Sequence, residues 1–415
     1  MRLVNQNSSG SIMRKINAKD SSMRNGKTRK FIRVLSGILI AVAFTLFVWV
    51  IVAGPVTVYR VVTRGDTTIY DYKRFPGRSL SASPAPFHFD VASPDGAIPD
   101  TIHIEGSGEL KIAEILESSQ TLAFLVVKDD AIIYERYLNG HSESSISQVF
   151  STSKSILSIL IGAAIDDGLI GLVDDPVTDY VPELVEAGFE KVTIENLLNM
   201  HSNIDYFEND NPFGEHVIFN FTDQLEDEIL RLQLLQTPDE QFRYKSGDNA
   251  LLGLILDRAL GNKTITQYTQ ERLWDPLGME HRGVWGVDRE DGLERTWCCL
   301  SISARDLAKL GRLYLNQGNW DGIQIIPPEW VETSTTSGAY RAGEWPADYA
   351  GSGLLNYKYQ WWLLSEDSGA YTTVGKDGQY LYVDPEKKLI VVRLGNGTGD
   401  FRWIRIFQEI SREIE

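Results

Sequence analysis

The chain has 415 residues, of which 43% are hydrophobic and 10% aromatic, with 15 prolines, 35 glycines and two cysteines. Such a composition can bury a sizeable core, and it excludes a wholly disordered chain, a collagen-like or long coiled-coil protein, a disulfide framework and an all-cysteine zinc ribbon. The formal net charge of −17 is unevenly spread: residues 1–33 hold nine Lys or Arg and one acid, Asp20, which leaves −25 on the remainder. A body this acidic repels nucleic acid, so nucleic-acid binding is excluded as its main task.

Residues 1–33 read as a basic cytoplasmic arm. No charged residue lies between Arg33 and Arg60. The run 34–58 is apolar, and its length of about 25 residues is enough to cross a ~30 Å hydrocarbon core as a helix. Trp49 and Tyr59 lie toward its far end, where aromatic rings suit the membrane interface. The basic residues precede it, so the positive-inside rule predicts a single-pass plasma-membrane anchor with a cytoplasmic N-terminus and all that follows outside. A cleaved signal peptide is the competing reading. The run is longer than the ~7–15 residues of a signal h-region, although Val52-Ala53-Gly54 resembles a cleavage site.

Residues 59–110 are rich in Pro, Ser, Gly and Asp and read as a stalk or irregular lead-in. The folded domain is expected over 111–415. Leu122–Val127 and Ala131–Tyr137 are β-type runs joined by Lys128-Asp129-Asp130, a hairpin signature. From Ser151 the period becomes helical: Ile156, Leu157, Leu160, Ile161, Ala164 and Ile165 share one face, and Gly168 can end the helix. Residues 169–340 read as short helices and loops, including Thr193–Met200, Ala250–Leu260 and Ser303–Leu315. Strands return at Tyr371–Gly375, Gln379–Val383 and Leu389–Leu394, and Trp403–Ile414 is an amphipathic helix. The predicted class is α+β: one five-stranded antiparallel sheet built from both ends of the domain, with a large helical insertion.

Ser151-Thr152-Ser153-Lys154 opens the most apolar helix of the body. A serine in the first helical turn lies near free backbone N–H groups. A lysine three residues on shares its face, and burial can make that lysine neutral and basic. An S-x-x-K match also arises by chance, and serine is a common N-cap, so the motif gains weight from its companions. Tyr244-Lys245-Ser246 precedes an apolar helix and offers a phenol for proton relay, with a hydroxyl two positions on. Lys376-Asp377-Gly378-Gln379 lies at a strand–turn–strand, where a cation and a backbone N–H can face a reacting carbonyl.

S-T-S-K, Y-K-S and K-D-G, in that order, resemble the S-x-x-K, Y-x-N/S and K/H-x-G elements of the serine β-lactamase and penicillin-binding-protein superfamily. The closer resemblance is to the class C β-lactamase-like branch, especially 6-aminohexanoate-dimer hydrolases and related esterases. Supporting stretches are 149–158, 195–204, 300–311, Y-Q-W-W at 359–362 and 375–385. The resemblance covers roughly 115–415. It implies Ser151 as the acylated nucleophile, Lys154 and Tyr244 sharing the base role, Ser246 in the proton network, Lys376 facing the substrate carbonyl or carboxylate, and an oxyanion hole at the N–H groups of Ser151 and Gln379, with Gly378 in the supporting turn.

The chain departs from the dimer hydrolases in carrying Lys376 and Asp377 in place of a G-H-G-G-Q run, which leaves the substrate class open. The implied activity is cleavage of a small amide, ester or peptide without cofactor or metal. A β-lactamase, a D-alanyl-D-alanine peptidase and a non-catalytic sensor domain are the alternatives. Glu195 matches an E-x-x-L-N pattern but reads as part of a plain amphipathic helix. Glu208-Asn209-Asp210 reads as a solvated loop. Cys298-Cys299 reads as two buried free thiols, and the six scattered histidines form no metal-ligand spacing.

Overall fold

The structure is a computed structural model describing residues 9–92, 98–104, 108–238, 241–336, 354–364 and 369–414, with side chains from residue 30 onward. The chain divides into two compact units, residues 1–63 and 64–415.

The first unit is helical. Helix α1 (Ser9–Ala53) contains the apolar run, and its stretch Lys30–Ala53 is long and apolar enough to cross a membrane by length and composition. The helix stops short of Val58. Gly54 takes φ 81°, a left-handed conformation that glycine adopts without a Cβ clash, and Pro55 then opens α2 (Pro55–Arg64).

The second unit is built on a mixed sheet. In chain order its strands are β2 (Asp90–Val91), β3 (Thr121–Lys128), β4 (Ala131–Tyr137), β8 (Asn356–Lys358), β9 (Trp361–Leu363), β10 (Tyr371–Gly375), β11 (Gln379–Asp384) and β12 (Leu389–Gly395). The spatial order is β8-β9-β10-β11-β12-β3-β4-β2. The five expected strands are its antiparallel centre, and both ends of the domain meet where β12 pairs with β3. The expected count of five is corrected to eight. Two short strands, β8 and β9, extend one edge, and β2 adds to β4 in parallel at the other. These additions escape the sequence pattern because strands of two or three residues carry too few alternations to be read.

Alternation along the strands sends apolar side chains to both faces. Leu125, Val127, Leu381, Val383, Ile390 and Val392 pack toward the helical region, including α4 (Thr152–Asp166) and α6 (Ala304–Leu315). Phe124, Val126, Tyr382 and Val391 face α3 (Ile112–Ser118) and α7 (Trp403–Glu413), whose Trp403, Phe407 and Ile410 cover that side. With both faces covered, the central strands are almost wholly buried.

The helical region is not purely helical. It contains a second sheet of β1 (Gly77–Leu80), β5 (Ser147–Gln148), β6 (Gly283–Gly286) and β7 (Leu300–Ile302), in the order β1-β6-β7-β5. Strand β1 comes from the lead-in and pairs with β6 along its length. Ser83 and Phe87 extend the lead-in's contacts by donating N–H bonds to Met279 and Gly278 carbonyls, at 2.8 and 2.9 Å. Strand β5 delivers the chain to Ser151, and β7 lies beside it.

Candidate active site

Ser151 occupies the N-terminal end of α4, directly after Phe150, whose φ of 46° makes the sharp turn into the helix. The N–H groups of Thr152, Ser153 and Lys154 donate to the carbonyls of Val149, Phe150 and Ser151. Among the described residues the Ser151 N–H has no acceptor of its own. The turn therefore leaves one polarised donor beside the hydroxyl.

Lys154 is 1% exposed. Its Nζ donates to Ser151 Oγ at 3.0 Å and to the Trp297 carbonyl at 3.1 Å. Among the described residues no carboxylate lies within ion-pairing distance of it. Burial therefore pushes its pKa down to about 8, with the charge of Glu208 opposing the shift. The amine sits 4.8 Å from the centroid of the Tyr244 ring.

Tyr244 is fixed by an aromatic slab. Its ring stacks on Trp362 (5.5 Å between centroids, 24° between planes) and meets Tyr357 edge-on at 6.0 Å. Tyr357 and Trp362 face each other across the β8–β9 pair. The Y-Q-W-W stretch thus supplies the wall behind Tyr244. Its Gln360 takes the Ser155 hydroxyl on its carbonyl at 2.6 Å and donates its side-chain amide to Leu197 and Leu198 carbonyls, which ties the wall to α4.

The K-D-G turn joins β10 to β11. Three residues, 376–378, lie between the paired Gly375 and Gln379, and Asp377 (φ 60°) and Gly378 (φ 82°) both take the left-handed conformation. A Cβ on Gly378 would sit 1.9 Å from Arg393 Nη1, which donates to the Gly378 carbonyl at 2.7 Å. Arg393 is fully buried, also donates to Ser119, Thr121 and Gly397, and stacks 3.9 Å over Trp403. At the strand before the turn, a Cβ on Gly375 would stand 2.4 Å from the Val149 carbonyl. Only glycine lets β10 come this close to the segment carrying Ser151. Thr152 Oγ1, hydrogen-bonded to Thr373 Oγ1 at 3.0 Å and to the Gln379 carbonyl at 3.5 Å, closes the same gap. The Gln379 side chain bonds to Gly395 and to the Lys376 carbonyl.

Lys376 stands near the turn that carries Ser151, its Nζ 5.8 Å from the Phe150 ring. Its partner is Asp66 rather than the adjacent Asp377: both carboxylate oxygens lie 2.8 Å from Nζ, with Thr67 O and Oγ1 at 3.3 and 3.2 Å. Burial pushes the Asp66 carboxyl up, but the Lys376 hydrogen bond and charge outweigh it and hold it below the usual range. Ser246 opens helix α5 (Ser246–Leu260), and its backbone N–H donates to the Glu208 carboxylate.

Residues 208–210 are exposed and irregular, as a solvated loop would be, but Glu208 also makes contacts back to the body. Its Oε2 lies 3.1 Å from His216 Nδ1. His216 in turn reaches Tyr206 and Asn220, and Asn220 Oδ1 accepts from Trp297 Nε1 at 3.0 Å. Burial pushes the His216 pKa down. The sequence does carry a signal for part of this chain of contacts: His216 and Asn220 are four apart and share a face of helix Glu215–Phe221. Asp66 gives no such signal, because its partner is 310 positions away. Glu195 accepts from the Tyr359 hydroxyl at 3.0 Å and pairs with Lys358, a structural engagement. The free-thiol reading of Cys298 and Cys299 is also corrected: the two are joined in a disulfide, because the turn after Trp297 brings the neighbouring sulfurs together. No cluster of metal-ligating side chains occurs among the described residues.

The geometry places a hydroxyl, a buried amine and a phenol ring around one helix start. The Beta-lactamase family model matches residues 111–408. The chain belongs to the β-lactamase family. A curated relative, the 6-aminohexanoate-dimer hydrolase of Paenarthrobacter ureafaciens, is 28% identical over 292 residues, covering 68% of this chain and 74% of that protein. A Bacillus anthracis structure provisionally named a 6-aminohexanoate-dimer hydrolase superposes with a TM-score of 0.70 at 24% identity, covering 83% of this chain and 92% of that one. A family VIII carboxylesterase structure gives 0.56 at 18% identity, covering 71% and 93%. These structures share this fold while differing in the bond their names say they cleave.

Proposed function

We propose that the chain is a serine hydrolase that cleaves an amide or ester through an acyl-enzyme on Ser151. The observation that carries this reading is the Lys154 amine, 3.0 Å from Ser151 Oγ and buried without a carboxylate partner among the described residues. In its neutral form it accepts the Ser151 proton as Oγ attacks the substrate carbonyl. The N–H groups of Ser151 and Gln379 stabilise the tetrahedral oxyanion. Tyr244, beside the same amine, returns the proton to the leaving group, and water then releases the acyl group. Ser246 supports the proton network through the Glu208 contact. No cofactor or metal enters these steps.

Substrate choice is read at Lys376. Asp66 already holds the ammonium through both oxygens, which favours substrates without a carboxylate at that position. An amidase or esterase acting on an uncharged group is therefore preferred over a β-lactamase or a D-alanyl-D-alanine peptidase, whose substrates carry a carboxylate. The apolar helix 30–53 fits a single-pass anchor, which would place the arm 1–33 in the cytoplasm and the hydrolase domain outside the plasma membrane.

The test is active-site labelling of the full chain. A fluorophosphonate adduct on Ser151, lost in Lys154→Ala, together with nitrophenyl-ester turnover and no cephalosporin cleavage, is the expected result. Efficient penicillin acylation and cephalosporin hydrolysis would move the assignment to a β-lactamase. Absence of any adduct would leave a non-catalytic binding domain.

A further inference from the structure

The disulfide between Cys298 and Cys299 follows directly on the residue whose carbonyl holds Lys154. A bridge between neighbours closes so short a loop that it removes almost no freedom from the unfolded chain, so stapling the fold is not its physical effect. What it does is local. The bridge and the enclosed peptide form one eight-membered ring, which removes backbone rotations at two positions.

Those positions lie between fixed points. On one side, the Trp297 carbonyl accepts from Lys154 Nζ at 3.1 Å, and the Trp297 indole N–H donates to Asn220 Oδ1 at 3.0 Å. On the other, the Leu300 N–H donates to Ser153 Oγ at 3.3 Å, and the Leu300 carbonyl accepts from the Val149 N–H at 2.9 Å. The Cys299 carbonyl accepts from Gly286 at 2.8 Å, and the Cys299 N–H reaches the Arg295 carbonyl at 3.2 Å. The ring thus links the acceptor behind Lys154 to two contacts on the turn that carries Ser151.

A neutral amine has one lone pair. An N–H directed to the Trp297 carbonyl limits where that lone pair points, and Ser151 Oγ is the other neighbour within hydrogen-bond reach. We propose that the Cys298–Cys299 disulfide is a positioning element for Lys154, locking the Trp297 carbonyl so that the amine's lone pair is held toward Ser151. This inference rests on the acyl-enzyme reading of Ser151. It carries a redox consequence. A small dithiol delivers two electrons and two protons to the bridge, leaving two cysteine thiols and its own cyclic disulfide. The freed backbone then lets the carbonyl shift and water reach the amine, which moves the amine toward its ordinary, more basic state.

The other titratable groups around Lys154 are Glu208 in the loop before helix Glu215–Phe221, His216 on that helix, Tyr244 before α5, and Lys376 on the β10–β11 turn. Arg295, the nearest charge in the cysteine segment's own chain, is bonded to the Phe219, Thr222 and Val287 carbonyls. None of these contacts involves a cysteine sulfur, so they remain when the bridge opens.

The experiment uses the full chain in detergent and follows fluorophosphonate labelling of Ser151 against pH. Three samples are compared: oxidised wild type, dithiol-treated wild type and C298S/C299S, with the bridge assayed by alkylation and mass measurement and the fold by thermal unfolding. The expected result is a roughly tenfold slower labelling near neutral pH in the latter two, of the size a small misplacement of a reacting group produces. Their acid limb should lie at higher pH, with an unchanged unfolding midpoint. Superimposable profiles overturn the proposal. So does a uniform loss with a lowered midpoint and an unshifted limb, and so does finding both thiols alkylated in untreated folded protein. An oxidised wild type that never labels removes the hydrolase reading and this proposal with it, a result distinct from labelled but superimposed profiles.

Discussion

Two helix starts in this molecule carry a buried lysine, and they use it in opposite ways. Lys154 lies in the first turn of α4 and Lys245 just before α5, and each is 1% exposed. Lys245 is 3.2 Å from Asp248 Oδ2 and donates to the Met200 and Arg243 carbonyls, both at 3.1 Å. Lys154 meets a hydroxyl and a carbonyl, neither of which carries charge. A buried lysine paired with a carboxylate braces the chain, whereas one without an ion-pair partner is driven toward the neutral amine. The same residue type at the same depth is therefore a strut in one place and, in the proposed reading, a base in the other.

The sharpest way to break the comparison is to remove each lysine. Lys154→Met is expected to lower kcat/KM for nitrophenyl esters by about 10³–10⁴-fold while leaving the thermal midpoint unchanged or raised, since it deletes a buried polar group that lacks a counter-charge. Lys245→Met is expected to do the reverse. It strands the Asp248 carboxylate and costs about 3–5 kcal/mol in denaturant unfolding, and Lys245→Met/Asp248→Leu should recover part of that loss. Equal stability losses in the two single variants would sink the distinction.

Smaller effects sharpen it. Tyr244→Phe keeps the ring stacked on Trp362 but removes the relaying hydroxyl, and about a 10²-fold fall in the rate of acylation is expected from stopped-flow kinetics. In wild type, Lys154 must be neutral to accept a proton. Labelling should therefore rise with pH and level off above about 8, falling tenfold for each unit below it. A flat profile from pH 6 to 9 would remove Lys154 as the base. The smallest change is expected from Asp66→Asn. The Asp66–Lys376 pair is exposed, 77% and 41% by side chain, and such pairs are worth ~0.2–1 kcal/mol. Freeing the ammonium should raise kcat/KM for a carboxylate-bearing ester only a few-fold relative to a neutral one, and an unchanged ratio would detach Asp66 from substrate choice.

Much of the fold could be read in advance wherever a pattern was long enough. The five central strands and the helices α4, α6 and α7 follow from alternation and helical periodicity, and both chain ends do meet between β12 and β3. The strands of the two sheets that escaped, β1, β2, β5, β6, β7, β8 and β9, have two to four residues each, too short for either period to declare itself. At the candidate site, Ser151, Lys154 and Tyr244 come together as their motifs anticipate. Lys376 lies near Phe150, already held by an acid from the lead-in.

The sequence by itself determined which segments are apolar enough to span or to pack, and which residue types could move a proton, because period, charge and motif spacing are local. Only the tertiary structure decided that Lys154 lacks a counter-charge while Lys245 has one, that Asp66 answers Lys376, and that the cysteine bridge backs the Trp297 carbonyl. Each depends on which distant groups share a buried volume, and in a medium that screens charge poorly such neighbours set the protonation state.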